Sequence, residues 1–417
     1  MNVTPEPTAI KSVTISTTPR DLCVFIVAGE HSGDALGAKL MAALAERARG
    51  RIRYLGVGGD LMRAQGLVSQ FPLADIAVMG PAAILARLPK LVARVYRTVA
   101  AAISAEPDIV VIIDAPEFTH PIARRIRRRR PSIPIVDFVS PSVWAWRPGR
   151  ARRMRAYVDH ILALLPFEPG AHARLGGPPC SYVGHPLVER ADWLADLDPA
   201  PLAQRLGLET GTDVLVVLPG SRRSEVRHLM GVFGATIGEL HRLGRRFEVL
   251  LPVVDSVREL VEEGLADWPV APRLITDETD KFRAFKLARA TLAASGTVTL
   301  ELALAGSPMV VAYKVDRVAA RPLRYLIRAQ SIVLANLVLG ENAFPEFIQE
   351  GCTVESLAGA LGELFDDTPA RQQQLAALAR IPACLATGGQ SPSARAAEIV
   401  LRYAERGRAA APDVHEV

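Results

Sequence analysis

At 417 residues, with 49% apolar and 22% charged side chains, the chain is too long for one ordinary core and too apolar for a disordered polymer. Two domains of similar size are therefore expected. The net charge of +5 is modest; its arginines are clustered, but no helix-turn-helix, RNP or OB signature accompanies them, so no nucleic-acid partner is expected.

Residues 1–20 are rich in Ser, Thr and Pro without an apolar core, which predicts a disordered extension rather than a signal peptide. An apolar strand, Leu22–Ala28, then runs into Gly29-Glu30-His31-Ser32-Gly33-Asp34 and a helical stretch from Ala35. Such a strand–turn–helix presents free backbone N–H groups to anionic or hydroxyl-rich ligands. No Lys-Ser/Thr pair follows the glycines, so this is not a Walker A loop. The next strand, Arg53–Val57, ends in Gly58-Gly59 where a ribose-binding acid would stand, which argues against a dinucleotide site.

From Val78 to Val95, Ile84, Leu85, Leu88, Leu91 and Val92 recur at helical spacing among Arg87, Lys90 and Arg94. A basic amphipathic helix of this kind either packs on its own domain or faces anionic lipid. No apolar run reaches the ~18 residues a spanning helix needs, so a cytoplasmic, peripherally attached protein is expected.

The strand Ile109–Asp114 ends on a carboxylate, placed where open α/β sheets present their ligand groups. Asp114 is the first candidate for a general base, with Glu30 and Asp34 as competitors; the alternative is a plain turn cap. The run Arg124–Arg130 reads as a solvated helix face or an anionic-membrane contact. After a strand at Ile133–Val139, the loop Ser140–Arg150 holds Trp144 and Trp146, two residues apart and so expected on one face of an extended cleft wall. Strands at Ile161–Leu164 and Ser181–Val183 complete the first series.

Pro199, Pro201 and several acids mark 184–211 as a linker, with His185 at the junction. A second series follows: Val214–Leu218, Glu248–Val253, Arg273–Ile275, Thr291–Ala294 and Met309–Ala312. Within it, Gly220-Ser221-Arg222 and Ser295-Gly296-Thr297 are again turns between strand and helix, and Arg222 offers a fixed charge for a diphosphate. Short, continuously apolar runs with helices between them imply parallel sheets covered on both faces. The expected organisation is a doubly wound first domain (21–190), a second (191–390) and a C-terminal helix and tail (391–417), with the Ser393–Glu405 helix capping the chain or crossing back. Cys23, Cys180, Cys352 and Cys384 have no paired spacing, and no His-Glu-x-x-His is present, so buried thiols are expected and neither disulfides nor a metal site.

Taken together, Ala28–Asp34, Gly56–Gly59, Ala77–Gly80, Ile113–Pro116, Val139–Trp146, Pro166–Glu168, Val183–Pro186, Leu218–Arg222, Ser295–Thr297 and Leu334–Leu337 resemble the lipid-A-disaccharide synthase family, in family order over roughly residues 22–400. His31 and Glu117 depart from its pattern, which usually has a small residue and a second Asp there. The resemblance implies a GT-B glycosyltransferase without a cofactor. It would join UDP-2,3-diacylglucosamine to 2,3-diacylglucosamine 1-phosphate, giving UDP and a β(1→6) disaccharide phosphate at the inner membrane, with a homodimer left open. Asp114 would be the base, and Glu30, Ser32, Gly33 and Asp34 would line the acceptor side. Arg222 with Ser295, Gly296 and Thr297 would hold the diphosphate, while Thr299, Glu301, Asn336 and Glu341 would contact uridine and ribose. A UDP-sugar epimerase, another cell-envelope transferase of the same fold, or a non-catalytic nucleotide-sugar sensor are the competing readings.

Overall fold

Strands that are apolar at every position need cover on both faces, and parallel pairing supplies it because each crossover lays a helix on the sheet. The computed structural model describes residues 21–76, 81–316 and 330–410 (for 81–87, the backbone) and holds two such sheets. The first half runs β1 (Leu22–Ala28), α1 (His31–Arg47), β2 (Ile52–Val57), α2 (Asp60–Ala64), β3 (Val68–Ser69), α3 (Pro81–Ala105), β4 (Ile109–Ile113) and α4 (Pro116–Arg129). It closes with β5 (Ile135–Phe138), α5 (Gly149–Met154), β6 (His160–Ala163), α6 (Glu168–Arg174) and β7 (Cys180–Tyr182). The second half contains α7 (Ala191–Asp196), α8 (Ala200–Leu206), β8 (Val214–Leu218), α9 (Arg223–Arg242), β9 (Glu248–Pro252), α10 (Arg258–Gly264), β10 (Arg273–Ile275) and α11 (Glu278–Leu287). It continues with β11 (Ala290–Ala294), α12 (Val298–Leu304), β12 (Met309–Tyr313), α13 (Leu334–Leu339), β13 (Glu346–Ile348), α14 (Val354–Phe365), α15 (Pro369–Cys384) and α16 (Pro392–Arg406).

Strand order is β3-β2-β1-β4-β5-β6-β7 in one sheet and β10-β9-β8-β11-β12-β13 in the other, with parallel pairing throughout. Alternate residues face opposite cores. Val24, Ile26, Val111 and Ile113 pack under α1, whereas Phe25, Val27, Val110 and Ile112 pack against Val99 of α3 and Ile126 of α4. The second sheet divides in the same way, Leu215 and Val217 facing α9 and Val216 facing α11. Each order reverses once, between β1 and β4 and between β8 and β11. At such a reversal neighbouring helices leave to opposite faces, and a crevice opens beyond the strand ends.

One expectation needs correction. Residues 184–211 are not an extended linker: they form a 3-10 turn at Pro186–Arg190 and helices α7 and α8, burying Leu194 and Leu202. Their prolines open helices, a position where a missing N–H is harmless. Two edge strands, β3 and β13, went unread because two or three half-exposed residues carry no periodic signal. Of the two courses expected for the C-terminal helix, α16 takes the second. It crosses back, and its Val400 and Tyr403 are fully buried beside α1 in the first core.

A candidate active site at two switch points

The first crevice is built on a close approach. A Cβ on Gly29 would stand 2.3 Å from the Cβ of Ala115, so only glycine lets the turn after β1 touch the turn after β4. That contact brings Glu30 and Ser32 to Asp114. Both Asp114 (φ 53°) and Ala115 (φ 42°) lie in the left-handed region, which costs a non-glycine residue about 1–2 kcal/mol. Two such residues in succession at a strand end mark stored strain, and strain of this kind clusters at functional sites. The half-buried Asp114 carboxylate is aimed by two donors, the Ala115 N–H at 2.8 Å and the Ser32 hydroxyl at 3.1 Å. Thr119 fixes the same turn by donating to the Asp114 carbonyl at 2.8 Å.

Glu30 is the residue preceding α1, and its side chain caps nothing. Partial burial, then the nearby Asp114 charge, push its carboxyl above the ordinary carboxylate value; Arg222 of the second half and His31 pull it back. A cation held beyond β8 is thus felt by a carboxylate held beyond β1. Asp34, by contrast, is turned away from the crevice. Its buried carboxylate accepts from the N–H groups of Gly59 (2.7 Å), Leu61 (3.1 Å) and Met62 (3.1 Å). Three committed amide donors make it the anchor of α2 rather than a proton acceptor. Gly33, also buried, packs α1 onto Ala28 and Ile113.

The tryptophan loop is not extended, so its two rings part. The N–H groups of Ala145 and Trp146 both turn back to the Ser142 carbonyl, at 3.0 and 3.1 Å. Trp144 points inward, its indole N–H donating to Glu168 at 3.2 Å and its ring meeting Phe167 edge-on, beside the second half's core. Burial pushes the Glu168 carboxyl up to about 7 despite the donors on it. Trp146 points outward with the Arg147 guanidinium over its ring, 4.3 Å from the centroid.

In the second half, Glu225 reaches back from the first turn of α9 to accept from the N–H of Ser221 and Arg222, each at 3.2 Å, and pairs with the Arg222 guanidinium at 2.9 Å. Arg222 is otherwise exposed, a cation stationed at the start of a 20-residue helix. Beyond β11, Ser295 donates to the Ile332 carbonyl at 2.7 Å, Gly296 is half-buried and Thr297 is exposed. Several weaker candidates have other partners. The Thr299 hydroxyl closes its own turn onto the Gly296 carbonyl (2.9 Å), and Glu301 pairs with Lys281 at 2.8 Å. Asn336 is 2% exposed, its amide bonded to the main chain of Phe344 in both directions. Glu341 pairs with Arg380 at 2.6 Å, on the rim of a cavity of about 380 Å³ that Ser331, Asn336 and Gly340 also line.

A family model described as lipid-A-disaccharide synthetase matches residues 24–400. The chain belongs to the lipid-A-disaccharide synthase family. The lipid-A-disaccharide synthase of Rhodopseudomonas palustris strain BisB18 is 53% identical over 91% of this chain and 94% of its own length. That of Rhodospirillum centenum is 44% identical over 92% and 94%. Among solved structures, S. aureus MnaA with UDP superposes with a TM-score of 0.61 at 11% identity, over 92% of this chain and 96% of its own. The glycotransferase of kitacinnamycin gives 0.59 at 17%, over 92% and 99%. At such identities these two speak for the fold alone, the expected GT-B pair of Rossmann-like sheets. Membership of a synthase family makes the chain an enzyme, as expected.

The structure brings Glu30, Ser32 and Asp114 together and places Arg222 near enough for its charge to act on Glu30. Sequence reading missed the buried pair His120–Asp137, 3.2 Å apart behind the β4 turn. A histidine in a helix and an acid in an apolar strand give no spacing signal. It also missed Glu168, whose burial only the fold reveals.

Proposed function

We propose that the chain condenses UDP-2,3-diacylglucosamine with 2,3-diacylglucosamine 1-phosphate by single inverting displacement. The acceptor 6-hydroxyl gives its proton to Asp114 while its oxygen bonds to the donor's anomeric carbon. The bond from that carbon to the diphosphate oxygen breaks, and its electron pair leaves on UDP. Arg222 and the N–H groups of Gly296 and Thr297 take up the leaving charge, a fixed arrangement worth more than mobile water. The cavity beside Asn336 and Glu341 is assigned to the donor's nucleoside.

The observation that supports this reading is that the charge of Arg222, from the second half, acts on Glu30, whose own neighbour is Asp114, at the ends of strands flanking both switch points. A positioned base contributes about 10²–10⁴-fold. Asp114→Asn should therefore lower kcat by that factor with UDP affinity unchanged, read by disaccharide formation and calorimetric UDP titration. Near-normal turnover would remove Asp114 from the role.

The proposal extends to the membrane. On α3, Leu88, Val92 and Tyr96 follow one another at four-residue spacing and are 46%, 45% and 48% exposed. Leu91 is half-buried against the first core, and the side chains of Ile84 and Leu85 lie outside the described residues. No described helix is long and apolar enough to cross a membrane. An apolar stripe near the arginines of α4 suits peripheral contact with the inner membrane, where both acylated sugars reside.

A further inference from the structure

We propose that Arg147 and Arg150 form the subsite for the acceptor's phosphate monoester, with Glu117 as the carboxylate that occupies it when no substrate is bound. The inference rests on the acceptor assigned above. Glu117 lies three residues beyond Asp114, in the first turn of α4, and two guanidinium groups converge on it. Arg150 bonds its Oε1, and Arg147 stands 3.8 Å from the same oxygen. The Arg150 hydrogen bond, chiefly, holds the Glu117 carboxyl below its ordinary range, although its side chain is 74% exposed.

The arginines are placed, not merely adjacent. The Arg150 N–H closes a turn onto the Arg147 carbonyl at 2.8 Å, which sets both side chains on one side. Arg147 is held at φ 53°, a strained conformation for a non-glycine residue, with Trp146 beneath its guanidinium. The charge of Arg150 is also felt behind the β4 turn: burial pushes the Asp137 carboxyl up and His120 pulls it down, and after these the charges of Asp114 and Arg150 act on it in opposite directions.

The chemistry follows from charge. Glu30, Asp114 and Glu117 make this crevice hostile to an anion, yet the acceptor carries a phosphate one sugar ring from its reacting hydroxyl. Two guanidinium forks match phosphate oxygens bidentately, which a carboxylate on a flexible glutamate can mimic and then surrender. An anionic phospholipid headgroup offers the same chemistry, and the test separates the two sources.

Arg147→Gln, Arg150→Gln and the double variant are assayed with the phosphorylated acceptor and with its 1-hydroxyl analogue, in neutral detergent and again on vesicles containing phosphatidylglycerol. UDP affinity and melting temperature serve as controls. The expected result is a rise in acceptor KM of about tenfold for each arginine and about 100-fold for the pair, seen with the phosphorylated acceptor alone. Equal losses on both acceptors would overturn the subsite, as would losses confined to vesicles containing phosphatidylglycerol. Glu117→Gln breaks the bridge but leaves both cations; a KM rise there matching the double variant would show that the arginines serve the bridge, and would also overturn it. Absence of product from the unsubstituted enzyme with either acceptor would instead strike at the underlying reaction.

Discussion

A buried acid that must stay neutral leaves a mark on stability. Glu168 is 3% exposed and titrates near 7 rather than 4.5, because burial outweighs the N–H donors of Leu165 and Trp144. In the unfolded chain it ionises near 4.5; in the folded one it keeps its proton until about 7. Between those values the native state binds more protons than the unfolded one, so its contribution is whole below pH 4.5 and is lost as pH rises towards 7. The loss is on the order of 3 kcal/mol. Glu168→Gln, with no proton to lose, should melt lower at pH 5, where its NH2 faces a donor, yet lose less in Tm between pH 5 and pH 8 than the unsubstituted protein. Parallel Tm-versus-pH curves would mean that Glu168 ionises freely in the fold.

At the scale of elements, function is carried by strand ends, and those were the parts most legible from sequence. Continuously apolar runs bounded by glycine turns gave eleven of the strands to within a residue or two, because burial on both faces leaves no other pattern. The same logic set Asp114 and Arg222 at carboxyl ends. Legibility stopped where side chains choose partners. Nothing in the spacing of Asp34 or Asn336 distinguishes a ligand contact from a carboxylate tied to three amides, or an amide tied to Phe344. Nor could an extended loop be told from a turned one at Trp144 and Trp146. The helix α3 belongs to the same scale, since packing and display share one element: Val95 and Val99 are buried while Leu88 and Val92 face out. Leu88→Glu and Val92→Glu should each leave folding stability within about 0.5 kcal/mol of the unsubstituted protein, as surface changes do, and together should move the protein from the membrane pellet to the supernatant in anionic-vesicle sedimentation. Unchanged partitioning would return the stripe to an ordinary exposed helix face.

For the whole molecule, the crossing of α16 ties folding to the far end of the chain. Ala396, Ala397, Val400 and Tyr403 complete the core that β1 began, about 370 residues earlier in sequence, and that α1 and β4 extend. The Tyr403 hydroxyl meets His160 at 3.3 Å, and the Tyr182 hydroxyl donates to Leu385 at 2.8 Å, so the crossing is pinned at both of its ends. The first half therefore lacks a wall until the last helix has been made, whereas the second sheet has α9, α11, α12 and α14 from its own segment. Val400→Asp places an unpaired carboxylate at a fully buried position, a penalty of several kcal/mol, and it does so in the first core although the residue lies beyond the second. Calorimetry should then show the first half melting well below the second, with UDP still bound at temperatures between the two transitions. A single transition that abolishes UDP binding at the same temperature would mean that the halves unfold as one unit, with α16 transmitting the damage rather than confining it.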